Sequence, residues 1–127
     1  MAKGDWFWHE LHTPDADAAK KFYGAVAGWE CNTVDMGAGD YGLWQQNGSD
    51  HGGMVHTAAL PESERLGTGW YTYINVDNVD ESVATAEDLG AKVLIPPYDM
   101  ANVGRMSLLE DPQGAKFFVM RGAHQED

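Results

Sequence analysis

Apolar and polar residues alternate in short bursts along this chain, and each burst gives way to a helical stripe or a turn. Over residues 6–12 the period is two, so Trp6, Trp8, Glu10 and His12 share one face of a strand while Phe7, His9 and Leu11 share the other. Asp15, after Pro14, can cap a helix in which Ala19, Phe22, Tyr23 and Val26 recur at helical spacing until Gly28 ends it. Three extended segments follow at about 29–35, 40–46 and 51–57, parted by the turn formers Met36-Gly37-Ala38-Gly39 and Asn47-Gly48-Ser49-Asp50.

The same order then begins again. A strand at 69–76 leads into a helix at about 78–89, with Val79, Val83, Ala86 and Leu89 as its buried stripe and Gly90 as its stop. Strands at about 91–95, 103–109 and 115–120 follow; Pro96-Pro97 closes the first of them, and Asp111-Pro112-Gln113-Gly114 turns between the last two. An offset of 62 lays Asp15 on Asp77, Gly28 on Gly90, Gly42 on Gly104 and Gly52 on Gly114. Segment 58–68, with Pro61, Glu62, Glu64 and Gly67, has no period and joins modules at about 5–57 and 69–121 within one domain, 1–127. A lone βαβββ module cannot cover both faces of its sheet. The pattern therefore predicts an α+β fold in which two tandem modules form a curved mixed sheet around a cavity, helices outside.

Composition narrows the chemistry. Twenty acidic residues against eight Lys plus Arg give a formal charge of −12, which disfavours a phosphate backbone as partner, because nucleic-acid affinity is built from cationic contacts. Cys31 is the single cysteine, so an internal disulfide is excluded, and the lack of an apolar leader or a long apolar run predicts a cytoplasmic protein with no membrane partner. No GxSxG, HExxH, P-loop or GxGxxG pattern occurs. His9 falls on the helix-facing side of its strand, Arg105 reads as an ion-pair member, and His51, His124 and the polar tail 122–127 receive no role.

Three stretches, DADAAKKFYGAVAG (15–28), VDNVDESVATAEDLG (76–90) and EDPQGAKFF (110–118), resemble the vicinal oxygen chelate superfamily of glyoxalases, bleomycin-resistance proteins and extradiol dioxygenases. The resemblance covers nearly the whole chain. It implies a divalent metal held by one side chain each from strands one, four, five and eight. Carried over by spacing from Asp15, Asp77 and Asp111, these positions are Trp8, Tyr71 and Phe118, with His56 as the fourth through its pairing with Phe118 at the offset of 62. A strict offset would pair Trp8 with Trp70; Tyr71 is chosen because Ile74 and Val76 then face the helix. Three of the four are poor ligands, so no cofactor is expected.

The expected function is that of a metal-independent small-molecule-binding protein of the glyoxalase or bleomycin-resistance type. Trp8, Glu10, His12, His56, Tyr71, Tyr73 and Phe118 would line a cavity suited to an aromatic or cationic ligand, with Lys116 and Met120 nearby. The alternative is a lyase or dioxygenase-like enzyme whose divalent metal sits on Glu10, His12 and His56. The resemblance also implies a homodimer.

Overall fold

A computed structural model describes residues 1–35, 40–62 and 66–123. The predicted turn at 36–39, Glu64 of the linker, and His124 with the end of the tail lie outside these residues. The elements run β1 (Trp6–Thr13), α1 (Ala16–Ala27), β2 (Glu30–Asp35), β3 (Asp40–Gln46), β4 (Ser49–His56), β5 (Gly69–Asn75), α2 (Val79–Asp88), β6 (Lys92–Met100), β7 (Gly104–Glu110) and β8 (Lys116–Gly122), with a 3-10 turn at Thr57–Ala59. The fold is α+β, a βαβββ module repeated. No helix among the described residues is long and apolar enough to cross a membrane.

Two compact units divide the chain: one is Trp8–Trp70, and the other joins Met1–Phe7 to the segment from Tyr71 onward. In the first unit the strand order is β2-β3-β4-β1, with β1 parallel to β4 and the other neighbours antiparallel. Asp15 caps α1 by accepting from Ala18 N at 3.0 Å, and Gly28 closes it in the left-handed region at φ 73°. Leu11, Ala19, Trp44 and Met54 form the core under α1, with Tyr23, Trp29 and Cys31 packed around it. The helical stripe is narrower than its spacing predicts. Phe22 and Val26 are 58% and 68% exposed, because Ala19 and Tyr23 suffice to cover the sheet and the next residues round the helix point outward.

The β3–β4 connection is also tighter than expected. Only Asn47 and Gly48 turn, with φ of 52° and 79°, so β4 begins at Ser49. Two positive φ values match the twist of a two-residue hairpin, which Asn-Gly favours.

In the second unit the order is β5-β8-β7-β6, with β5 parallel to β8. Asn75 ties the N-terminal segment to β5: its N–H donates to Asp5 O at 2.8 Å, and its carbonyl accepts from Gly4 N at 2.8 Å. Val76, Val79, Val83, Leu109 and Val119 form the core beneath α2. Leu89 is 73% exposed rather than part of the stripe, since it sits past the last helical residue as the C-cap. Pro96-Pro97 does not end β6. This strand lies at the sheet edge and shifts register between Val93 and Ile95 and again before Tyr98, so the missing proline N–H groups cost no ladder bond to a second neighbour. At the DPQG turn, Asp111 Oδ1 accepts from Gln113 N and Ala115 N at 2.9 and 3.0 Å.

The two modules do not match at one constant offset. The helix caps are Asp15 and Asn78, an offset of 63, whereas the glycine stops Gly28 and Gly90 differ by 62, since α2 is the shorter helix. Gly52 lies within β4 and Gly114 in a turn at φ 100°, so that pair is in sequence register without being structurally equivalent.

Candidate functional site

The face of the first sheet turned away from α1 carries a continuous polar chain. Alternation along β1 puts Leu11 under the helix and Glu10 and His12 on the opposite face, where both are buried at 6% and 4% exposure. His12 Nε2 and Glu10 Oε2 are 2.7 Å apart. The Tyr41 hydroxyl, from β3, donates to Glu10 Oε1 at 2.6 Å and accepts from Trp8 Nε1 at 2.9 Å. Trp8, Tyr41, Glu10 and His12 are thus one hydrogen-bonded series, in which each neighbour polarises the next. Burial, then the Glu10 charge and hydrogen bond, push the Tyr41 phenol far above its usual pKa, against a smaller opposing effect of the Trp8 bond.

Gly53 makes room for this series. A Cβ built there would overlap the Tyr41 hydroxyl and come within 2.8 Å of Trp8 Nε1. The parallel β1–β4 register sets Gly53 opposite Glu10 and the antiparallel β3–β4 register sets Leu43 opposite Gly53, so Tyr41, two residues before Leu43, shares the face. Tyr41 did not emerge as a site residue from the sequence. The one signal was alternation within Asp40–Gln46, which puts Tyr41 opposite Gly42 and Trp44, but its neighbours depend on a strand pairing that alternation does not encode.

His56 does not join Glu10 and His12. It pairs with Thr13, one residue past the Glu10 and His12 parity, and its Nδ1 accepts from Ala58 N at 3.2 Å, capping the 3-10 turn. A trio of Glu10, His12 and His56 is therefore not assembled, and among the described residues no three His, Cys, Asp or Glu side chains are grouped to hold a metal ion. The register also corrects how the fourth-strand position is derived. Trp8 and Tyr71 each lie seven residues before a helix cap, Asp15 and Asn78, which supports Tyr71 over Trp70. Glu10 then answers to Tyr73 and, through the parallel pairs, Gly53 answers to Phe118, an offset of 65 rather than 62.

In the second unit, Tyr73 and Phe118 stack nearly parallel, 5° apart with centroids at 4.2 Å, and both are buried. They lie on the side away from α2, and each covers a face of the other. Tyr71 is half-buried on the same side, and burial raises its phenol pKa. Met120 is buried as well, while Lys116 is exposed. His9 is exposed rather than core. A cleft of about 490 Å³ in this unit, lined by Asp77, Asn78, Asp80, Asp99, Arg105 and Arg121 among others, is separate from the polar chain. Arg105 there is engaged by carboxylates: its Nε and Nη2 donate to Asp80 at 2.8 and 3.0 Å and its Nη1 to Asp99 at 3.0 Å, as its ion-pair reading requires. This bond also holds the Asp80 carboxyl below its usual pKa.

A family model described as a glyoxalase-like domain matches residues 8–120. The chain belongs to the glyoxalase-like domain family. Among curated relatives of this glyoxalase-like chain, a candidate glyoxylase of Mycobacterium bovis called CFP32 is 34% identical over 124 residues, covering 97% of this chain and 46% of that protein. The anthracycline biosynthesis protein DnrV of Streptomyces peucetius is 31% identical over 132 residues, covering 95% and 48%. The chain thus spans about half the length of the curated relatives it matches. A Streptomyces coelicolor methylmalonyl-CoA epimerase in complex with 2-nitronate-propionyl-CoA superposes at a TM-score of 0.65, with 20% identity and 99% coverage of both chains, a likeness of fold.

The residues of this glyoxalase-like domain do not fit the superfamily's metal. Carried over through this register, the resemblance would put Trp8, Gly53, Tyr71 and Phe118 at its four positions, where only the Tyr71 phenol offers an oxygen: an indole N–H is only a donor, and glycine and phenylalanine side chains offer no lone pair.

Proposed function

We propose that this domain binds a small organic molecule, aromatic or cationic, without a metal, and that the face carrying Trp8, Tyr41, Glu10 and His12 is its recognition surface. The observation that carries this reading is the series itself. A buried carboxylate is held by an imidazole and a phenol, with the Trp8 indole anchored at the end of the series. An anchored ring loses little rotamer freedom on stacking with a flat ligand, and the net charge of −12 favours cations near it. Tyr71, Tyr73 and Phe118 are proposed as an aromatic contact surface of the other unit in its own right. The name of the DnrV relative, anthracycline biosynthesis, supports a small-molecule role.

A panel of planar cationic aromatics, screened by thermal shift and titrated calorimetrically, tests the reading. Binding in the micromolar range is expected, with Trp8→Ala weakening it about tenfold, as one lost stacking contact of roughly 1–1.5 kcal/mol implies. Absence of binding by any member at millimolar concentration would end it. We further propose that the domain pairs with a second copy of itself through exposed apolar side chains, Phe22 and Val26 one turn apart on α1 and Trp70 on β5, which are 58%, 68% and 42% exposed.

A further inference from the structure

We infer that Tyr41, seated over Gly53, occupies the space into which a fourth-strand side chain of the superfamily would project, and so closes this face to a divalent ion. The inference rests on the metal-independent reading and names the residues responsible for it. Gly53 is the β4 residue equivalent to Phe118, and its missing side chain is replaced in space by a hydroxyl arriving from a different strand. That hydroxyl accepts from Trp8, the residue the resemblance puts at the first-strand position, and donates to Glu10, a buried carboxylate on the same strand face. One tyrosine thereby takes up the space, the first-strand residue and the carboxylate together. Any side chain larger than hydrogen at position 53 would expel it. In the second module the equivalent position is filled by Phe118 against Tyr73, an apolar route to the same exclusion.

Two measurements on the full chain test this. The first is solvent exchange of the Trp8 indole proton, followed by NMR and assigned by its loss in Trp8→Phe. Slow exchange is expected in the unaltered protein, with at least tenfold faster exchange in Gly53→Ala and in Tyr41→Phe, each checked for native circular dichroism. Unchanged exchange in a folded Gly53→Ala would overturn the inference. The second is zinc uptake by equilibrium dialysis with elemental analysis. The unaltered protein should take up less than about a tenth of an equivalent at micromolar zinc. The double variant W8H/G53E, which supplies an imidazole and a carboxylate beside Glu10 and displaces Tyr41, should approach one equivalent, three protein donors being enough for zinc. Stoichiometric zinc on the unaltered protein, or a folded double variant that takes up no more than it, would overturn the inference. No organic ligand enters either readout, so a failed ligand screen and a failed exchange or zinc result are told apart.

Discussion

Tyr41 illustrates how one side chain acquires its properties from neighbours distant in sequence. Its hydroxyl lies between a donor, Trp8, and a carboxylate, Glu10, each more than thirty residues away, and it sits where a glycine leaves room. The Glu10 charge and burial both oppose loss of the phenolic proton, and a consequence for stability follows. Below pH of about 10, folded and unfolded chains both hold that proton and the contribution is fully present. Above it the unfolded chain releases the proton and the folded chain does not, so stability falls as pH rises. A titration of tyrosinate absorbance should therefore show a component that ionises only as the protein unfolds, and Tyr41→Phe should reduce that late component by one tyrosine. A late component of the same size in Tyr41→Phe would contradict this. At this scale Trp8, Glu10 and His12 were legible, because strand alternation specifies which side chains share a face. Tyr41 and the separation of His56 were not, because each depends on inter-strand register.

At the scale of elements, caps and turns behaved as local chemistry predicts. Asp15, Gly28, Gly90, Asn47-Gly48 and Asp111 satisfy or redirect backbone groups within a few residues of themselves, and such positions can be read without knowing the rest of the fold. Replacing Asp15 by Ala removes the acceptor for Ala18 N and should cost about 1 kcal/mol in chemical denaturation, with an unchanged m-value. Leu89→Gln, by contrast, should change stability by less than about 0.5 kcal/mol, since the side chain is exposed; a loss above about 2 kcal/mol would show that it is packed. The width of each helix's buried stripe was misjudged from spacing alone. How much of a helix is covered depends on the sheet beneath it, and here Ala19 and Tyr23 of α1, and Val79 and Val83 of α2, reach the sheet while Phe22, Val26 and Leu89 do not.

At the scale of the molecule, the exposed Phe22, Val26 and Trp70 predict self-association. Sedimentation velocity should find a dimer, and the double variant F22E/V26E should sediment as a monomer with a native spectrum; a monomeric unaltered protein would refute the pairing. The sequence by itself determined the α+β class and the repeated βαβββ order, because periodicity, caps and stop glycines are local and were written twice along the chain; the family came from the likeness of three stretches to known members and from the match over residues 8–120. That likeness also implies aromatic rings, Trp8, Tyr71 and Phe118, at three of the superfamily's four ligand positions. Only the tertiary structure decided the offset between the modules, which runs from 62 to 65, because residues added or lost within elements shift a register without changing the pattern. It alone set Gly53, rather than His56, in register with Phe118 and brought Tyr41 over Gly53, since a hydrogen bond between strands forms where backbone pairing sets two side chains together, and that pairing is a property of the assembled sheet.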